Sequence, residues 1–83
     1  METNRLHPGD RVKVTIFNEE GALVTSYESS GFHTVEDAVF SAIRNRLDGD
    51  ENVKDYVYDV ADESTGTEER YRINAHGHVH LIV

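Results

Sequence analysis

Apolar and polar residues alternate through RVKVTIF, with Val12, Val14 and Ile16 on one face and Arg11, Lys13 and Thr15 on the other. A period of two is the signature of a half-buried strand. The loop NEEG, Asn18 to Gly21, leads into a second strand expected from about Ala22 to Ser29. With Phe17 opposite Ala22, this hairpin puts Leu23 and Tyr27 on the core side and Phe17 and Val24 on the outer side. The period then changes to that of a helix. VEDAVFSAIRNRL carries Val35, Ala38, Val39, Ala42, Ile43 and Leu47 on one face, with Phe40 on its flank. Thr34 is placed to cap this helix, Glu36 and Asp37 suit the dipole at its start, and Gly49 suits its end.

Three more alternating runs follow. The first, from about Lys54 to Ala61, turns Tyr56, Tyr58 and Val60 inward. ERYRIN turns Tyr71 and Ile73 inward and Arg70 and Arg72 outward. HVHLIV turns Val79, Leu81 and Val83 inward. The order ββαβββ predicts an α+β two-layer sandwich, with one helix packed on a mostly antiparallel five-stranded sheet. A right-handed crossover between opposite edges gives the strand order 2-1-5-4-3. The length of 83 residues fits one domain spanning 1–83. Residues 1–8 are expected to fray, with a turn at HPGD using Pro8 and Gly9.

Charge narrows the choice of partner. The formal net charge is −8. Nine acids lie between Asp48 and Glu69 against the single base Lys54, while acids and bases balance elsewhere. Affinity for a phosphate backbone comes from Lys and Arg, so nucleic acid is not expected as a partner. The acidic segment 48–69 favours encounter with a basic protein, or simply keeps a small domain dissolved. The chain has no cysteine, which excludes disulfides and thiolate chemistry. No apolar run reaches membrane-spanning length, so membrane insertion is not expected and a cytoplasmic location is.

The most suggestive residues for chemistry are His76, His78 and His80 in NAHGHVHLIV. Alternate residues of a strand share a face, and three imidazoles can hold zinc or copper. Register argues against that here. Pairing Ile73 with Val79 and Tyr71 with Leu81 sets Asn74 opposite His78 and leaves Ala75-His76-Gly77 as a loop. His76 then sits in the turn, and His80 faces Arg72, whose charge repels a dication. The expectation is polar residues on a wet strand face. DGDENVKD opens like a calcium loop, yet its sixth position is Val53 and its twelfth Asp59. STGTEE lacks the lysine and glycines of a phosphate loop. His33 fits the start of the helix better than a proton-transfer role. No catalytic group and no cofactor is expected.

The leading functional reading is a small acidic, non-enzymatic interaction or accessory domain, present as a monomer or weak homodimer. With one helix, one sheet face stays uncovered. Phe17, Val24, Val57, Arg72 and Ile82 are the candidate partner-binding residues on it, four of them more apolar than a wet face requires. The alternatives are a metal-binding protein using the three C-terminal histidines, and an acidic mimic of nucleic acid seated on a basic protein surface.

Overall fold

A computed structural model of the chain describes residues 6, 7 and 9–82. Its elements are β1 (Val12–Phe17), β2 (Leu23–Ser29), α1 (Val35–Arg46), a 3-10 turn (Val53–Asp55), β3 (Val57–Asp62), β4 (Thr67–Ile73) and β5 (Val79–Leu81). The helix packs on one face of a five-stranded sheet, so the α+β sandwich read from the pattern is the fold. Every neighbouring pair of strands is antiparallel.

The strand order is β2-β1-β3-β4-β5, not 2-1-5-4-3. The chain crosses from β2 through α1 and lands directly beside β1, so β3 and not β5 is the neighbour of β1. Length explains the choice. β1 pairs six residues with β3, Val12 to Phe17 against Asp62 to Val57, whereas β5 has only three to offer. Tyr58 and Val60 are thereby set beside Ile16 and Val14 over the helix.

The core is the inner face of this sheet against α1. Val12, Val14, Ile16, Tyr58, Val60, Tyr71, Ile73 and Val79 meet Val35, Ala38, Val39, Ala42 and Leu47. Ile43 and Phe40 pack at its margin. Thr34 Oγ1 accepts the Asp37 N–H at 3.1 Å, which satisfies one of the unpaired donors of the first turn. Tyr56 and Tyr58 point inward as the alternation requires, and both hydroxyls find acceptors at the rim: Asp50 Oδ2 for Tyr56 and the Val53 carbonyl for Tyr58. The Asp50 carboxylate raises the Tyr56 pKa, and burial raises that of Tyr58.

The N-terminal expectation needs one correction. Leu6 is not frayed: its N–H bonds to the His33 carbonyl at 2.9 Å, and its side chain packs on the core. Asp10 closes a turn onto the His7 carbonyl. Met1–Arg5, Pro8 and Val83 lie outside the described residues.

Candidate functional site

The uncovered face is set by register, and its residues form three rows across the strands. The upper row is Leu23, Phe17 and Val57. One further step of the register brings Arg72, with His80 opposite it. The middle row is Ser26, Thr15, Asp59 and Arg70, with the Ile82 N–H bonded to the Arg70 carbonyl. The lower row is Glu28, Lys13, Ala61 and Glu68.

The hairpin β1–β2 does not have the expected register. Phe17 pairs with Leu23 and Ile16 with Thr25, so Val24 is an extra residue in a bulge. Asn18 explains the offset, because its Oδ1 accepts from both Glu20 N–H and Ala22 N–H and draws the turn tight. Gly21 supplies the positive φ of 83° that closes it. Leu23, expected in the core, is instead 66% exposed. Tyr27 does point inward, opposite Val14. Leu23, Phe17, Val24 and Val57 therefore gather at one corner, an apolar patch larger than the sequence suggested. Ile82, 37% exposed, lies on the far side of the face.

The centre of the face holds a group that sequence reading passed over. Asp59 faces away from the helix, yet it is only 6% exposed. Arg70 accounts for this. Its Nε lies 3.5 Å from Asp59 Oδ2, and its guanidinium reaches on to the Phe17 ring, 5.8 Å from the centroid. The arginine stretches from β4 across β3 to β1 and roofs the carboxylate. Loss of water around Asp59 pushes its pKa up to about 6, helped by the neighbouring Glu68 carboxyl and opposed by Arg70. The register Asp59↔Arg70 follows from closing β3 and β4 with the Glu63–Gly66 loop, so this pair was legible in the sequence.

The histidines stand as register required. Asn74 N–H bonds to the His78 carbonyl, Gly77 adopts a φ of 84°, and His80 pairs with Arg72. Among the described residues, no group of three or more His, Cys, Asp or Glu side chains is placed to hold a metal ion. In the former calcium-loop candidate, Asp50 Oδ1 accepts the Asn52 N–H and Oδ2 accepts the Tyr56 hydroxyl. Its carboxylate is spent on closing the loop.

The acidic segment does not form one patch. Asp48, Asp50, Glu51 and Asp55 lie before β3, and Asp62, Glu63, Glu68 and Glu69 lie around the β3–β4 turn. Five residues of strand, Val57 to Ala61, separate the two groups, about 17 Å. The second group borders a cleft of about 670 Å³ on the helix side, floored by Leu6, Val35, Val60 and Tyr71. Two of its carboxylates are engaged locally: Asp62 Oδ1 accepts the Ser64 N–H, and Glu69 accepts the Tyr71 hydroxyl. No helix among the described residues is long and apolar enough to cross a membrane. No protein-family model, curated protein or solved structure matches the chain.

Proposed function

We propose that the protein is a small non-enzymatic interaction module that associates with another protein through the uncovered sheet face. The observation that carries this reading is the composition of that face. An apolar corner of Phe17, Leu23, Val24 and Val57 sits beside a basic flank of Arg70 and Arg72. A chain of net charge −8 that gathers exposed apolar residues and arginines on one face has concentrated there the residue types enriched at interface centres. The face is built on hydrogen-bonded strands, so docking on it orders little of the chain. The remaining carboxylates at both ends of β3 would then act at a distance, steering encounter and keeping the unbound protein dissolved.

The test is affinity capture after chemical cross-linking in the cells that make the protein, comparing the parent with Phe17→Ser and Leu23→Ser. Both positions lie outside the core, so both variants should keep the parent's far-ultraviolet circular dichroism and lose captured proteins. Full retention of every captured protein by both folded variants rules this face out.

A further inference from the structure

We infer that the occupant of the uncovered face is a second copy of this chain, packed sheet against sheet about a two-fold axis that runs along β3. This rests on the reading of that face as the binding surface, and it follows from how the rows are ordered. Such an axis lays β3 over its copy, β1 over β4 and β2 over β5. In the lower row, Lys13 then faces Glu68 of the second copy, and Glu68 faces the second Lys13. In the upper row, Val57 meets its own copy on the axis, flanked by Phe17 under the second Arg72 and by Arg72 over the second Phe17. Within each copy Arg70 already lies over the Phe17 ring and Arg72 Nη2 donates to the Asp55 carbonyl at 3.4 Å, so this row contributes chiefly the apolar contact of Val57 with its copy, with the arginines at its margins. Opposite charges in the lower row and an apolar contact on the axis in the upper row therefore recur by symmetry, which is what a self-complementary contact requires.

The other in-plane two-fold, across the strands, fits less well. It lays each strand over its own copy about the middle row. Arg70 then faces Arg70, and exposed Leu23 faces Glu28. The along-strand axis leaves Asp59 as the only charged side chain opposite its own copy, and that carboxyl is already roofed by Arg70. Size sets the strength. Five strands about 4.8 Å apart and three rows of residues give a plan area of about 400 Å² per copy, half the roughly 800 Å² per partner of a standard stable interface. The association is therefore weak, visible at ~1 mM and dissociated at ~10 µM.

The absence of cysteine makes the geometry directly testable. Purified Val57→Cys, held at ~1 mM and treated with a bis-maleimide spanning about 10 Å, the usual spacing of packed sheets, should give covalent dimers. Arg44→Cys, on the exposed side of α1, should give few under the same conditions. Charge reversal supplies an independent readout in the cysteine-free chain by sedimentation velocity. Glu68→Lys should weaken self-association several-fold, and adding Lys13→Glu should restore it. Should Lys13→Glu disturb the fold through its neighbours Glu28 and Glu63, Lys13→Gln alone serves, with a several-fold loss expected. A chain that stays monomeric at ~1 mM, with no more dimer from Val57→Cys than from Arg44→Cys, overturns the second copy without touching the capture result. Cross-linking only in mixtures of Val57→Cys with Ala61→Cys overturns the stated axis in favour of the one across the strands. Loss of capture by Phe17→Ser in a chain that does not self-associate leaves the face a binding surface for a different protein, and the second copy is then wrong.

Discussion

Asp59 should make this protein less stable as pH rises from 4 to 7, and Asp59→Asn should remove that loss. The carboxyl ionises at about 6 in the folded chain and near its ordinary 3.8 in the unfolded one. The folded state thus holds the proton more tightly, and between these two values it binds more protons than the unfolded state does. Its contribution to stability is complete below about pH 4 and is lost as pH climbs through 6. The gap from 3.8 to about 6 corresponds to a ceiling of about 3 kcal/mol. The face is open to water and the Arg70 side chain is 65% exposed, so screening brings the expected value down to about 1–2 kcal/mol. Asparagine keeps the shape and drops the titration. Urea denaturation of parent and Asp59→Asn at pH 4.0, 5.0, 6.0 and 7.5 isolates the effect, because the other carboxylates titrate in both chains. Relative to the parent, the variant should gain about 1–2 kcal/mol between the lowest and highest pH. Parallel pH profiles for the two proteins, or a parent that gains on the variant as pH rises, would refute the roofed, desolvated carboxyl described above.

Thr34→Ala should cost about 1 kcal/mol through loss of the bond to the Asp37 N–H, seen as a lower urea midpoint at unchanged slope. Ala42→Asp should abolish folding, because it buries an unpaired charge between α1 and the sheet; circular dichroism decides it, and a native spectrum would mean that α1 presents a different face. Leu23→Ser should shift stability by no more than about 0.5 kcal/mol, whereas Ile16→Ala, at a fully buried site, should cost about 2–5 kcal/mol. Zinc in modest excess should produce only weak, fast-exchange NMR shifts at His76, His78 and His80, and a saturable sub-micromolar 1:1 site there would restore the metal reading.

Alternation along the chain was enough to place the helix, all five strands and nearly all of the core, because burial on one face imposes a period that few substitutions can hide. Tyr58, Val60, Tyr71 and Ile73 sit inward as their runs require. What alternation cannot carry is pairing between strands distant in sequence. β1 meets β3 across forty residues of chain, and no local signal distinguishes that neighbour from β5. The hairpin register failed for a smaller reason. The side chain of Asn18 holds the turn through two backbone N–H groups, and one added residue at Val24 moved Leu23 from the core to the surface. The partner-binding candidates Phe17, Val24, Val57, Arg72 and Ile82 were read from alternation and do share the uncovered side of the sheet. Asp59 points away from the helix, as alternation with Tyr58 and Val60 requires, but its burial depends on one arginine reaching across two strands, which is a property of three elements together.

The central claim, that this protein works through its uncovered sheet face, is tested most directly by photo-crosslinking in the cells that make it. A photoreactive amino acid would be placed singly at Val24 and Ile82 on that face, at Arg44 on the helix, and at Glu51 in the acidic loop. Val24 and Ile82 should yield discrete crosslinked protein species, with Arg44 and Glu51 giving background. Discrete species from Arg44 or Glu51, with Val24 and Ile82 silent, would contradict the account and move the binding surface to the helix or to the acidic loop.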